Sequence, residues 1–299
     1  MFKGKSPLNP WFITGFIDGE GSFNISISKN NTYKDGWRIK LTFSVGLHSK
    51  DKVLLECIQT YFKVGGVFKQ GSQSYQFRVQ STKDLAVIIN HFDKYPLITQ
   101  KQGDFELFKQ AFDIVKNKQH LSKEGLRKIV SIRASFSGGL SPILEYSFVN
   151  IIPYPRSSVS DFKIKDPQWL AGFATAEGCF LIRIIKAVSH LSGHQVLLVF
   201  KLTQHTKDEQ LIRSLVDYLE CGKVYVNGTM VDYIVTKLTD ITDKIVPLFQ
   251  KYPIQGVKHL DYTDFVSVVE LMKNRKHLTP EGLDQIRAIK AGMNKGRDN

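Results

Sequence analysis

The chain has 299 residues, 42% of them hydrophobic, and its 41 Lys+Arg against 28 Asp+Glu give a net charge of +13 at pH 7. The apolar content is enough for one large folded domain or two ordinary ones. No apolar run approaches the roughly 18 residues of a membrane span, and the N-terminus lacks the apolar segment of a secretory signal. The three cysteines show no paired or metal-binding spacing, which excludes a disulfide scaffold and indicates reduced thiols inside a cell. The charge favours a polyanionic partner, nucleic acid first, over a generically basic surface.

The chain contains an internal repeat at an offset of 157 residues. The matched pairs include GFIDGEGSF (Gly15–Phe23) with GFATAEGCF (Gly172–Phe180), HSKD with HTKD, KYP (Lys94–Pro96) with KYP (Lys251–Pro253), and HLSKEGL with HLTPEGL. So many matches at one offset indicate a tandem duplication of one domain. We therefore expect an N-terminal domain at residues 1–140, a semi-extended linker rich in Pro and Ser at residues 141–165, and a C-terminal domain at residues 166–299.

Each half begins with the same predicted elements. Asn9–Pro10 and Asp166–Pro167 place a helix N-cap before a proline, and each helix ends at glycines that suit left-handed C-terminal geometry. Strands with alternating apolar residues follow, and Ser49 and Thr206 are expected to cap the next helices. The predicted fold class is α+β: two tandem αββαββα repeats with antiparallel, saddle-shaped sheets, pseudo-twofold symmetric about the two first helices.

The glycine-rich segments GFIDGEGSF and GFATAEGCF contain acidic residues although the protein as a whole is basic. Gly15 and Gly19 are four residues apart, as are Gly172 and Ala176, so each first helix has a face of small residues that lets the two helices approach closely. We expect this packing to bring Glu20 and Glu177 side by side, where a cation between them would relieve their repulsion. Oxygen ligands suit Mg²⁺, which supports phosphodiester displacement. The alternative is a pair of solvated turns; an EF-hand loop is excluded because Phe23 stands where that loop needs glycine.

ITGFIDGEG (Ile13–Gly21) and LAGFATAEG (Leu170–Gly178) resemble the nine-residue signature of the LAGLIDADG homing endonucleases, and almost the whole chain resembles their single-chain type from fungal organellar introns. The resemblance implies that Glu20 and Glu177 are the catalytic metal-binding carboxylates, joined by the carbonyls of Gly19 and Ala176. It also implies peripheral catalytic roles, organising water, for Lys237 and Gln204. Leu47 stands opposite Gln204, and Ser81 or Gln80 opposite Lys237, so the two DNA strands are expected to be cut at different rates.

The polar faces of the predicted sheets carry residue types that hydrogen-bond base edges in the major groove. An ordinary solvated face is the alternative. Leu197 and Val199 either contact thymine methyl groups or lie buried under a loop, and His48 and His205 are assigned to packing rather than to catalysis. The predicted DNA-binding residues are Asn24, Ser26, Ser28, Asn30, Lys34, Arg38, Lys40, Thr42, Ser44, Gln76, Arg78, Gln80, Arg183, Gln195, Lys201 and Thr203.

Taken together, the resemblance implies a site-specific, metal-dependent endonuclease that cuts double-stranded DNA across the minor groove and leaves 3′ overhangs. Two sheets would cover an asymmetric site on the order of 20 bp. Mg²⁺ is the expected cofactor, with Ca²⁺ binding but not supporting cleavage. The protein is expected to act as a monomer in the mitochondrion, without a membrane partner. The alternatives are an intron maturase that binds host intron RNA and a non-catalytic nucleic-acid-binding protein of the same fold; the two glutamates favour the nuclease.

Overall fold

The computed structural model describes residues 8–33, 35–188, 193–294 and 297. Within these residues no helix combines the length and hydropathy needed to cross a membrane. The first repeat comprises α1 (Pro10–Glu20), β1 (Gly21–Lys29), β2 (Trp37–His48), α2 (Lys52–Phe62), β3 (Gly66–Lys69), β4 (Ser74–Val79), α3 (Thr82–Lys94), α4 (Lys101–Lys116) and α5 (Lys123–Ala134), followed by a short α6 (Pro142–Ser147). The second comprises α7 (Pro167–Glu177), β5 (Gly178–Lys186), β6 (His194–His205), α8 (Glu209–Leu219), β7 (Lys223–Asn227), β8 (Met230–Val235), α9 (Leu238–Asp240), α10 (Val246–Lys251), α11 (Lys258–Lys273) and α12 (Pro280–Ala291).

The two sheets have the same topology. Each has four antiparallel strands, in the orders β1-β2-β4-β3 and β5-β6-β8-β7. The pair β1–β2 and the pair β5–β6 have the same register, since Gly21 lies opposite Val45 and its repeat partner Gly178 lies opposite Leu202, the repeat partner of Val45. The predicted α+β class and the αββαββα repeat are thus confirmed.

The inward face of each sheet is aromatic and buried. In the first sheet the ring of Phe23 packs against Phe43 from the sheet and Phe108 from α4. In the second, Phe180 holds the equivalent position against Phe200 and Phe265. The alternation of apolar and polar residues therefore places helices on one face and the polar side chains on the other.

Two compact units make up the chain. The first contains the described residues up to Pro10 and then Glu20–Asp161; the second contains Trp11–Gly19 and Phe162–Asn299. Most of α1 thus belongs to the unit formed by the second repeat. The predicted domain boundaries at residues 140 and 165 follow the repeat rather than these spatial contacts and stay a prediction.

The repeat slips by one residue between β7 and α10, and the structure shows how. The hairpin joining β7 to β8 is one residue shorter than its counterpart: Val226 pairs with Val231, whereas its repeat partner Lys69 pairs with Tyr75. The helical stretch that follows regains the residue through a π-helical segment, Ile241–Ile245. Pro247 lies in the next turn, and a wider turn accommodates both an extra residue and the missing proline N–H.

The helix ends differ in part from the prediction. Asp166 caps α7 as expected, its carboxylate accepting from the N–H of Gln168 at 2.8 Å. Gly178, however, has φ −71° and not left-handed geometry; it is glycine because a Cβ there would overlap the carbonyl oxygen of Ala174. The caps before α2 and α8 are also not Ser49 and Thr206. The ring nitrogens of His48 and His205 accept the N–H groups two residues on, at 3.3 and 3.1 Å, so both histidines have a structural role.

The segment after α5 packs along the first unit. It contains α6, which the semi-extended linker prediction missed, while residues 151–166 have no regular secondary structure. Ser131 and Ser135 of α5 donate their hydroxyls to the carbonyls of Ile152 and Tyr154. Arg156 forms a salt bridge with Asp104 of α4. Backbone carbonyls of the segment are thus satisfied by side chains of the helices.

Candidate active site

Helices α1 and α7 pack backbone to backbone in the second unit. A Cβ at Gly15 would overlap the carbonyl oxygen of Trp169, and one at Gly172 would overlap that of Phe12. A Cβ at Gly19 would meet the methyl group of Ala176. The small-residue faces predicted from the sequence therefore form the contact, and no larger side chain fits between the helices at these levels.

A buried carboxylate joins the two helices. Asp18 is 3% exposed and accepts a hydrogen bond of 2.7 Å from the indole N–H of Trp169. At the repeat-equivalent position Thr175 donates within its own helix, to the carbonyl of Ala171. Asp18 thus orients the helix pair through a contact that the second repeat, with its threonine, does not make.

Glu177 is held at the end of this contact. The position of a Cβ on Gly19 would lie 3.3 Å from Oε1 of Glu177, so the carboxylate lies directly beside the α1 backbone. Glu20, the next residue of the chain, ends α1 as Glu177 ends α7. The close helix contact therefore brings the Glu177 carboxylate against the α1 backbone.

The candidate metal ligands at this helix end, the Glu177 carboxylate and the neighbouring backbone carbonyls, are oxygen atoms. Carboxylate and carbonyl oxygens fit a hard divalent cation such as Mg²⁺ or Ca²⁺. Among the described residues no group of three or more His, Cys, Asp or Glu side chains is placed to hold a metal. A metal at Glu177 would therefore need backbone carbonyls, waters or substrate phosphates as further ligands, which is common for Mg²⁺.

Lys258 is a site residue that the sequence analysis missed. Its ammonium donates a hydrogen bond of 2.7 Å to the carbonyl of Ala176, the residue before Glu177. The repeat could have revealed this lysine. Lys101 and Lys258 are repeat partners that each stand five residues after a KYP string, at the start of α4 and α11. The carbonyl of Ala176 keeps a second lone pair for a metal.

Charges of both signs act on the region just after Glu177. Burial, assisted by Asp261, raises the pKa of the Cys179 thiol, and the charges of Lys258 and Lys201 partly oppose that rise. Lys201 is itself paired with Asp232, and Asp261 with Arg297.

The two predicted peripheral residues lie on different elements. Lys237 precedes α9, is 72% exposed in its side chain and lies 3.7 Å from Oδ1 of Asp240. Gln204 is half-buried on β6, opposite Val231 of β8. Their catalytic roles stay a prediction.

The outward face of the first sheet carries the predicted polar residues. Asn24, Ser26 and Ser28 are exposed along β1, as the alternation predicts. Across the sheet the amide of Gln80 donates to the hydroxyl of Thr42 at 3.2 Å. Ser44 is 7% exposed and offers little contact surface in this structure. The remaining members on this face are Arg38, which is exposed, and Lys40, Gln76 and Arg78, which are half-buried.

The loop between β1 and β2 holds two further predicted contacts. The side-chain oxygen of Asn30 accepts the N–H of Thr32 at 3.0 Å and its hydroxyl at 2.7 Å, so it shapes the turn. Lys34 lies outside the described residues.

The outward face of the second sheet is different in character. Lys201 and Thr203 both contact Asp232, at 3.0 and 2.6 Å, so the face contains a network with an acidic centre that the sequence analysis missed. A carboxylate is the kind of side chain that accepts from the amino group of cytosine in other DNA-binding proteins. Leu197 is half-buried and available for contact, whereas Val199 is 3% exposed. Arg183 is exposed and Gln195 half-buried.

Comparison with known proteins identifies the family. The model of the LAGLIDADG endonuclease family matches residues 13–112 and again residues 170–269. The chain is 42% identical over 286 residues to probable intron-encoded endonuclease 3 of Neurospora crassa, covering 93% of this chain and 53% of that protein.

Solved structures agree with this match. I-SmaMI bound to an uncleaved DNA target with calcium ions superposes with a TM-score of 0.94 at 44% identity, covering 96% of this chain and 99% of that one. I-CpaMI bound to uncleaved DNA gives a TM-score of 0.92 at 44% identity, covering 96% and 99%. Solved forms of I-SmaMI also include lysine-to-alanine mutants.

The chain spans only part of the longer curated relatives, 53% of one and 65% of another, both from Neurospora crassa. The match nevertheless covers both repeats and both acidic helix ends. The chain therefore belongs to the LAGLIDADG endonuclease family, in its two-repeat form.

Proposed function

We propose that this chain is a site-specific, metal-dependent endonuclease that cuts both strands of a long, asymmetric DNA site across the minor groove and leaves 3′ overhangs. One observation supports the proposal above the rest: the Glu177 carboxylate is fixed beside the α1 backbone at Gly19, with the ammonium of Lys258 on the preceding carbonyl. An acidic residue held rigidly beside a cation and exposed backbone oxygens suits phosphodiester chemistry. The family membership and the DNA complexes of I-SmaMI and I-CpaMI support it further.

In this proposal Glu20 and Glu177 hold Mg²⁺, with the carbonyls of Gly19 and Ala176 as additional ligands. The cation, when bound, activates water and stabilises the charge that develops on the phosphate. Lys258, and Lys101 at the equivalent place in the first repeat, bring positive charge toward that phosphate. Lys237 and Gln204 organise the surrounding waters. Calcium accompanies the uncleaved target of I-SmaMI, which supports binding of a divalent cation without cleavage in Ca²⁺ here.

The outward faces of the two sheets bind the DNA. A β-ribbon fits the major groove, and the net charge of +13 supplies the electrostatic part of the affinity. The faces differ, serine- and amide-rich on β1 but centred on Asp232 in the second sheet, so the two half-sites of the target differ in sequence. A monomer that carries both repeats has no need of a palindromic site.

The protein acts in a fungal mitochondrion in this proposal. The intron-encoded fungal relatives support that origin. Host intron RNA, the partner of the maturase alternative, is tested by the same variants, because splicing by RNA binding does not need the two glutamates whereas cleavage does.

The test is cleavage of a plasmid library in Mg²⁺ and in Ca²⁺, with Glu20→Gln and Glu177→Gln beside the wild type. We expect linear product in Mg²⁺ and binding without cleavage in Ca²⁺. Each variant keeps its binding but forms no double-strand breaks, since an amide cannot replace the carboxylate charge at the metal. Glu281→Gln, at an exposed position in the first turn of α12, is the matched control and cleaves normally. Undiminished double-strand cleavage by either active-site variant overturns the assignment.

A further inference from the structure

A cavity of about 230 Å³ opens beside the edge strand of the first sheet. Residues Gly21–Ile25 of β1 form one wall, and Lys101 and Asp104 at the start of α4 form another. Arg133 of α5 completes it, together with Phe136 and Ser137 just after that helix. All of these residues belong to the first unit.

The cavity is lined by positive charge, and one of its lining side chains has an unsatisfied donor. Nη1 of Arg133 is buried and has no hydrogen-bond partner among the described residues. Lys101 adds a second positive charge, while the carboxylate of Asp104 is neutralised by its salt bridge with Arg156. A buried guanidinium N–H is costly to leave unpaired, and its planar group matches the oxygens of a phosphate.

The second unit fills the equivalent place with its own chain. Asn294, the repeat partner of Ser137, donates its amide to the carbonyl of Phe180 on edge strand β5 at 3.2 Å. Its backbone N–H donates to Asp261, the repeat partner of Asp104, at 2.9 Å. Arg297 then forms a salt bridge with the same carboxylate at 2.8 Å. The first unit has a cavity where the second has these contacts.

The position of the cavity identifies its ligand. Asn24 lines the cavity and is also an exposed member of the polar face of β1. A sheet that lies in the major groove has its edge strands toward the phosphate backbones that border the groove. A cationic cavity at the edge of β1 therefore faces the line of phosphates on one side of the groove.

We propose that the β1-edge cavity, with Arg133 as its donor, binds a backbone phosphate of the DNA. The inference rests on the DNA binding in the proposed function and not on cleavage. It makes the first repeat hold one DNA strand by a contact that the second repeat lacks.

The test measures the salt dependence of DNA binding by the full chain, in Ca²⁺ so that no cleavage intervenes. The probe is the duplex recovered from the plasmid library, or mixed-sequence duplex DNA if no target is cleaved. Losing one phosphate contact lowers the slope of log K against log[salt] by about 0.9. We expect this loss for Arg133→Gln, together with weaker binding, and a retained slope for Arg133→Lys, which keeps the charge.

Lys290→Gln is the matched control, because Lys290 is the repeat partner of Arg133, carries the same charge and is exposed. Its slope changes by less than half as much. Equal slopes for Arg133→Gln and the wild type overturn the proposal, as does an equal loss in Lys290→Gln, which indicates a general charge effect. Thermal unfolding confirms that each variant is folded.

Inorganic phosphate distinguishes a free phosphate from a backbone phosphate. If it raises the unfolding temperature of the wild type but not of Arg133→Gln, and the DNA slopes are equal, the cavity takes free phosphate and the DNA assignment is wrong. Absence of cleavage with the expected slope change leaves this contact established and overturns only the nuclease.

Discussion

Replacing Gly172 with alanine tests whether the α1–α7 contact positions the catalytic carboxylate. The added Cβ overlaps the carbonyl oxygen of Phe12 and lies 2.8 Å from the backbone nitrogen of Phe16, where ordinary contacts begin at 3.4 Å. These are backbone atoms that no side-chain rotation moves away. The contact with the Phe12 oxygen falls further short of that limit, so the helices must move apart.

Two effects follow from that separation. Overpacking costs about 1–3 kcal/mol, at the upper end here because the overlapped atoms are backbone. The better helix propensity of alanine returns about 1 kcal/mol, so the free energy of unfolding falls by about 2 kcal/mol. The unfolding temperature drops by about 2–4 °C for each kcal/mol in a unit of this size. Displacing Glu177 by roughly 1 Å lowers the cleavage rate by about 100-fold, although residue 172 touches no substrate.

Thermal unfolding and single-turnover conversion of supercoiled plasmid to nicked and linear forms measure the two effects. Gly292→Ala is the control, since its φ is −88° and its Cβ would meet only the carbonyl oxygen of Ile289, at an ordinary 3.6 Å. We expect that variant to match the wild type in both assays. If Gly172→Ala leaves the rate and the unfolding temperature unchanged, the helix contact does not position the carboxylate.

Three further predictions concern other parts of the chain. In the plasmid assay, Lys258→Met lowers the cleavage rate by roughly 100-fold while DNA binding is retained. The exposed control Lys273→Met cleaves at the wild-type rate, and a wild-type rate for Lys258→Met would show that Lys258 has no part in the site. Burial lowers the pKa of His91 to about 3. As the pH drops from about 6.5 toward 3, the imidazole is protonated in the unfolded state but not in the folded one. The free energy of unfolding therefore falls, by up to about 1.4 kcal/mol per pH unit. Denaturant titrations across that range show a shallower fall for His91→Gln, and parallel curves would contradict the burial argument. Leu197→Ser weakens binding to thymine-containing duplex but not to the same duplex with uracil, and an equal loss on both shows that Leu197 makes no methyl contact.

The duplication and the fold class were accessible from the sequence because they depend on local patterns. An offset of 157 residues preserves helix starts, alternating strands and the spacing between them, and each of these is a property of neighbouring residues. The packing of α1 on α7 was also predictable, since glycine and alanine four residues apart leave one helix face without side chains. The exposure of single side chains was harder to predict. Ser44 and Val199 stand at positions that alternate as exposed residues do, yet both are buried.

Three site features depended on residues far apart in the chain. Lys258 reaches Ala176 across 82 positions, Trp169 reaches Asp18 across 151, and Asp232 joins Lys201 and Thr203 from a neighbouring strand. A hydrogen bond between distant residues leaves no periodic signal in either segment, so sequence patterns do not reveal it.

By itself the sequence determined that the chain is a basic, two-repeat α+β protein whose two glycine-rich helices each end in a glutamate. Those properties follow from composition, periodicity and repetition, which can be recognised from residues that are close together in the sequence. Only the tertiary structure decided that Glu177 lies against the α1 backbone, that Lys258 is bound to the carbonyl before it, and that a cationic cavity opens beside β1 where the second repeat has its own C-terminal residues. The physical reason is that close packing and hydrogen bonding act between atoms brought together by the fold, whatever their separation along the chain.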